Sequence, residues 1–181
     1  MQLKELYNSA KVHKDNHKSC GGEPYKSFEK LSSIINGFKT PLKILEIGTA
    51  VGFTTYILQN NINSVDTIEL HQDHIDLAKQ NISGWGGDVS KVNFISGDAK
   101  DILPTLREST YDLIFFDGYG AKHIYYPDFL RLLKQGGMLI TANKYLKSTE
   151  EEYFNELENT EIWKFVEEFE DTRVHMKTVI N

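Results

Sequence analysis

A chain of 181 residues fits one domain with a sizeable core, and its 25% charged and 40% hydrophobic residues are ordinary for a globular protein in water. The formal net charge of −6 excludes a general electrostatic pull toward nucleic acid. Cys20 is the only cysteine, so no intrachain disulfide and no Cys/His zinc pair is expected.

Residues 1–20 read as a polar, weakly helical segment. Lys11, Lys14 and Lys18 with His13 and His17 form a small basic patch there, which reads best as a solvated helical face or a frayed end. No basic-then-apolar leader and no apolar run near 18 residues is visible, so the expected compartment is cytoplasmic. Gly21-Gly22 breaks the chain. Pro24 then opens a helix whose Phe28, Leu31, Ile34 and Ile35 share one face, closed by Gly37.

Lys43 to Ile47 reads as a short buried strand. Gly48, Ala50 and Gly52 follow at alternate positions, and Thr54–Asn60 reads as a helix. Strand, small-residue turn and helix make the first half of a nucleotide-binding unit, where missing side chains let a ligand approach the backbone. A dinucleotide fingerprint would be G-x-G-x-x-G, but the spacing here is G-x-A-x-G with Glu46 at the strand end. That carboxylate repels a pyrophosphate and suits a cationic amine, which points to an adenosine bearing a sulfonium and an amino group. It also disfavours a nicotinamide-dependent oxidoreductase.

Val65 to Leu70 is a second strand ending at Glu69, about 20 residues past the first, where a doubly wound fold places the acid for the ribose hydroxyls. His71 to Ile82 is a helix with Ile75, Ala78 and Ile82 inward. Gly84 to Gly87 form a loop, and Val92 to Ile95 a third strand running into Gly97-Asp98-Ala99. A helix from Asp101 is begun or kinked by Pro104. Tyr111 to Phe116 is the near-continuous apolar run of a central parallel strand, stopped by Asp117-Gly118-Tyr119-Gly120. A helix over Tyr125–Leu133 turns at Gly136-Gly137 into a fifth strand, Met138 to Ala142. Thr149 to Leu157 is an acidic helix. Ile162 to Phe169 and Arg173 to Ile180 form a hairpin, so one of its strands runs antiparallel. Alternating strands and helices imply an open parallel sheet with right-handed crossovers, and ligands bind such sheets outside the carboxyl ends of the strands. Glu46, Gly48, Glu69, Asp98, Asp117 and Asn143 all fall at those ends.

On Ile44–Phe53, Thr67–Leu70, Gly97-Asp98-Ala99, Tyr111–Asp117 and Leu133–Asn143, the chain resembles the class I S-adenosylmethionine-dependent methyltransferases. Within them it is most similar to the cation-dependent O-methyltransferases of catechol and caffeoyl-CoA type and their bacterial relatives, some of which methylate hydroxyuridine in tRNA. The likeness covers roughly residues 21–181, the expected methyltransferase domain. It implies an α/β fold with a doubly wound, mostly parallel seven-stranded sheet of order 3-2-1-4-5-7-6 ending in an antiparallel hairpin. It implies that Glu46, Gly48 and Gly52 contact the methionine end of S-adenosylmethionine, that Glu69 holds the ribose hydroxyls, that Asp98 and Ala99 flank the adenine, and that Thr49, Ala50, Leu70, Gly97 and Asp117 also line the cofactor, Asp117 being a catalytic candidate as well. Asp98 as a simple helix cap, and Glu69 as the partner of a surface lysine, stay open as alternatives.

The resemblance further implies magnesium held by Asp117 and an Asp-Asn pair. Here Asn143 matches, but Ala142 stands where the second aspartate is expected, which leaves few oxygen ligands. Lys122 and Lys144 are the candidate catalytic lysines, whose ammonium would replace the missing metal charge at an oxyanion. Tyr119, Tyr125, Tyr126 and Tyr145 lie around the expected mouth. The chain is thus expected to be an O-methyltransferase acting on a small aromatic or a tRNA nucleoside as a homodimer. A non-catalytic S-adenosylmethionine-binding scaffold or regulator is the alternative.

Overall fold

The computed structural model describes residues 2–16, 24–118, 122–142 and 150–179. Seven strands form one sheet: β1 (Lys43–Ile47), β2 (Ser64–Glu69), β3 (Val92–Ser96), β4 (Tyr111–Phe116), β5 (Leu133–Thr141), β6 (Trp163–Phe169) and β7 (Thr172–Lys177). Their order is β3-β2-β1-β4-β5-β7-β6, as the resemblance implies. The first five are parallel, and β7 runs antiparallel to both β5 and β6. The helices are α1 (Leu3–Asn16), α2 (Tyr25–Gly37), α3 (Phe53–Gln59), α4 (Gln72–Gly84), α5 (Ala99–Ile102), α6 (Lys122–Leu132) and α7 (Glu150–Leu157). No described helix is long and apolar enough to cross a membrane.

Alternation along the central strands divides the core into two layers. Ile44, Leu113, Phe115, Met138 and Ile140 face one side, beneath α2 and α3. Leu45, Ile47, Ile114, Phe116 and Leu139 face the other, against α6 and α7. On that second face Trp163 Nε1 donates to the Tyr126 hydroxyl at 2.9 Å, and the hydroxyls of Tyr153 and Thr141 lie 2.6 Å apart. These bonds satisfy the polar ends of buried aromatics while tying α6 to β6 and α7 to β5.

Four elements differ from their sequence reading. The N-terminal segment is a 14-residue helix whose Leu3, Leu6, Tyr7 and Ala10 fall on one face. Leu6, 1% exposed, joins the first core layer, and the Tyr7 ring packs on Tyr25, Phe28 and Phe53 with centroids 5.4 to 5.9 Å apart. α6 begins at Lys122 rather than Tyr125 and carries Pro127 within it. β5 starts at Leu133 and passes through Gly136-Gly137 as a bulge, because Tyr111 pairs with Leu133 but Leu113 already pairs with Met138. Pro104 lies in a 3₁₀ turn, Leu103–Thr105, directly after α5, which itself starts at Ala99 rather than Asp101. Cys20 lies outside the described residues.

Leu6→Ala should cost about 2–4 kcal/mol in urea denaturation, because it empties a site at which α1 enters the core. A loss of only a few tenths would mean that α1 is not a packed part of the domain.

Candidate active site

The carboxyl ends of β1, β2, β3 and β4 meet around the turn that follows β1. Gly48 has φ +99°, and a Cβ there would stand 3.0 Å from the Asp117 carbonyl oxygen. The Asp117 amide in turn donates to Ile47 at 3.0 Å, so the ends of β1 and β4 are in direct contact. Gly52 has φ +84°, and its Cβ would lie 2.8 Å from the Ala78 Cβ. Its missing side chain therefore makes room for α4 against α3. Close packing against Ala78 is thus a second demand on this glycine, beside the ligand approach expected from the sequence. Ala50 takes a left-handed conformation at φ +47°, sparsely populated for a residue with a Cβ.

That conformation is held by Glu69. The Ala50 amide donates to Glu69 Oε2 at 2.9 Å, while Oε1 accepts from the His71 amide at 3.1 Å and from His74 Nδ1 at 3.2 Å. Among the described residues Glu69 thus pairs with no lysine. Leu70 beside it is 59% exposed, an apolar side chain uncovered at the strand end. The Gly97 amide donates to the Glu69 carbonyl at 2.9 Å, which brings the β3 end to the same place. Asp98 caps α5, its Oδ1 accepting from the Lys100 amide at 2.9 Å, and Ala99 packs partly buried behind it. Burial first, and the Asp98 charge second, hold the Tyr125 phenol above its ordinary pKa, so α6 also borders this edge.

Glu46 points inward. It is fully buried, and its Oε2 accepts from Thr55 at 2.5 Å and Thr67 at 2.6 Å. Thr67 and Thr49 lie hydroxyl to hydroxyl at 2.6 Å, so the acid supports the turn from beneath. Oε1 has no partner among the described residues. Burial pushes the carboxyl up to about 8 against the two threonine bonds, and the Asp117 and Glu69 charges push it the same way. Two carboxylates therefore set a negative field over the strand ends while the third is largely neutral at pH 7.

On the opposite side of the turn, Asp117 is half-buried and Lys122 is 2% exposed at the start of α6. The Lys122 Nζ lies 6.0 Å from the centroid of the Phe154 ring, over which the Arg173 guanidinium stacks at 4.3 Å. Arg173 also pairs with Glu168 at 2.6 Å and sits beside Thr141 at the end of β5. Ala142 is fully buried, and its amide donates to Phe116. A methyl group there supplies no oxygen, and no three His, Cys, Asp or Glu side chains converge among the described residues. Among the described residues the oxygen donor here is Asp117, fewer than the resemblance implies for magnesium, an ion bound in an octahedron of oxygens. Asn143, Lys144, Tyr119 and Tyr145 lie outside the described residues.

A family profile for O-methyltransferases matches residues 2–180. The chain belongs to the O-methyltransferase family. Its match runs through α1, the segment that the sequence reading set apart from the methyltransferase domain. A catechol O-methyltransferase of Mycobacterium tuberculosis is 30% identical over 118 residues, 63% of this chain and 53% of that protein. The chain spans about half the length of the curated relatives it matches, from 45% to 53%. The fold is similar to that of the O-methyltransferase TomG from Streptomyces achromogenes, solved with S-adenosylmethionine, at a TM-score of 0.79 and 17% identity over 97% of this chain and 90% of that one. It is also similar to an O-methyltransferase from Bacillus cereus solved with S-adenosylhomocysteine, at 0.75 and 19% over 98% and 90%.

The sequence reading missed His74, Thr55 and Thr67. For His74 the signal was present: it stands four residues before the inward Ala78, on the buried face of α4.

Two outcomes follow from this geometry. Gly52→Ala should destabilise by about 2–4 kcal/mol through backbone strain and overlap with Ala78, and adding Ala78→Gly should recover the overlap part, so that the two losses are not additive. Additive losses in denaturant titrations would refute the packing role. Glu46 binds a proton more tightly folded, at about 8, than at its ordinary 4.5, so the folded state holds the extra proton between those values. Stability should therefore fall as pH rises through that window and level off above it. Glu46→Gln should flatten the fall in thermal midpoints measured from pH 5.5 to 8.5, and an unchanged slope would exclude Glu46 as its source.

Proposed function

We propose that this chain transfers the methyl group of S-adenosylmethionine to a hydroxyl of a small hydroxylated aromatic, with a lysine rather than a divalent cation offsetting charge at the acceptor. The observation that carries the reading is the Glu69–Leu70 pair. A nearly buried carboxylate, already ordered by three N–H donors, stands next to an uncovered apolar side chain at the switch-point edge of the sheet. A ribose on the first and a flat purine on the second match both chemistries, with Gly97, Asp98 and Ala99 along the purine edge.

The field of Glu69 and Asp117 supports a cationic ligand, since both charges add, after burial, to the upward push on the Glu46 carboxyl. A bound sulfonium would supply an electrophilic methyl group to the acceptor oxygen, the hydroxyl proton passing to solvent and a neutral thioether being left. Gly48, Thr49 and Ala50 form the wall beside its amino-acid end, and Asp117 attracts the amine. We assign Lys122 the role of stabilising the acceptor oxyanion, its ammonium being confined against Phe154 in a little-solvated position. The relative named for catechol supports a hydroxyarene acceptor. The formal net charge of −6 weighs against a polyanionic one such as tRNA.

The test is transfer of labelled methyl groups to a panel of catechols and to bulk tRNA. Transfer to catechols is expected, with Glu69→Ala raising KM for S-adenosylmethionine about tenfold or more and Lys122→Met lowering kcat about 100-fold. Excess chelator should change the rate by less than about twofold. Abolition by chelator would overturn the lysine mechanism, transfer to tRNA alone would move the acceptor, and tight binding without transfer to either would mark a scaffold.

A further inference from the structure

Glu69 offers its sugar fewer acceptor sites than a free carboxylate does. A carboxylate oxygen has two in-plane lone pairs. Both on Oε1 are taken, one by the His71 amide at 3.1 Å and one by His74 Nδ1 at 3.2 Å. Among the described residues Oε2 accepts only the Ala50 amide at 2.9 Å, which leaves one of its sites without a donor there. Facing a carboxylate, Nδ1 is the ring nitrogen that carries the proton. The His74 ring is 6% exposed, and the His71 ring packs edge-on against it at 5.1 Å between centroids and 66° between planes. The imidazole is thereby braced in the orientation that occupies Oε1.

We propose that His74 is a positioning residue that saturates Oε1 of Glu69 and so leaves Oε2 alone to accept one of the two ribose hydroxyls of a bound adenosine ligand. The inference rests on the reading of Glu69 as the sugar's partner. It differs from the symmetrical grip in which each carboxylate oxygen takes one hydroxyl. The second hydroxyl then gains nothing from Glu69, and the ligand's sugar is held at one point whose direction His74 sets.

Calorimetry with S-adenosylhomocysteine and its 2′-deoxy and 3′-deoxy analogues tests this. In the wild-type chain one deoxy analogue should bind about tenfold more weakly than the parent, the worth of one charge-assisted hydrogen bond, and the other within about twofold. In His74→Ala the unequal response should shrink to about twofold or less while the thermal midpoint moves by only a few degrees. His74→Gln, which retains an N–H donor, should restore part of the inequality. Large and similar losses for both analogues in the wild type would overturn the inference while leaving Glu69 as the ribose acid. An inequality that survives in His74→Ala would also overturn it. Negligible losses for both would overturn the ribose role of Glu69 and this inference together. The wild-type comparison needs no variant, so the proposal stays open to refutation even where His74→Ala fails to fold.

Discussion

The three hydrogen bonds received by the Glu69 carboxylate hold the candidate site together. They connect the end of β2 to the turn after β1 through Ala50 and to the first turn of α4 through His71 and His74. Each donor is a backbone amide or a buried ring nitrogen, so none is free to turn toward water. The strained Ala50 conformation persists because an anion rewards it, and the anion persists near the surface because three donors and the start of α4 compensate it. A ligand that used Glu69 would meet a carboxylate whose orientation had already been settled by folding.

Beneath that turn the same problem is solved in the opposite way. Glu46 is fully buried, and burial dominates its titration. Protonation, together with Thr55 and Thr67, satisfies most of it, and the threonine pair carries the support up to Thr49. One acid stays charged at the rim and one is discharged in the core, although both stand at the carboxyl ends of neighbouring strands. The difference is the supply of donors among the described residues: N–H groups surround Glu69, while hydroxyls alone reach Glu46.

The acceptor side departs furthest from what the family resemblance implies. A buried methyl group at Ala142 stands where an oxygen ligand is expected, and two cations, Lys122 and Arg173, meet the Phe154 ring nearby. The aromatic wall that carries them is anchored by Trp163, Tyr126, Tyr153 and Thr141, whose polar atoms pair with one another across α6, α7, β5 and β6. Changes in the sheet's antiparallel end would therefore be felt at Lys122 and Arg173 more than at Glu69.

Strand positions, the central Tyr111–Phe116 run and the gathering of polar residues at the strand ends were legible in the chain, because apolar runs, turn residues and crossover handedness are local or topological signals. The earlier starts of α6, by three residues, and α5, by two, and the bulge in β5 escaped, since helix starts and extra residues in a ladder depend on which partner the backbone finds. α1 was legible in its i, i+3, i+4, i+7 spacing but was masked by its polar composition. What no reading of the linear order could supply was the destination of each polar group. Gly52 faces Ala78, Glu46 turns to Thr55 and Thr67, and His74 reaches Glu69, because those contacts form only when separate elements pack at one distance and angle. Residue type tells which groups must find partners, and packing tells which partners are within reach.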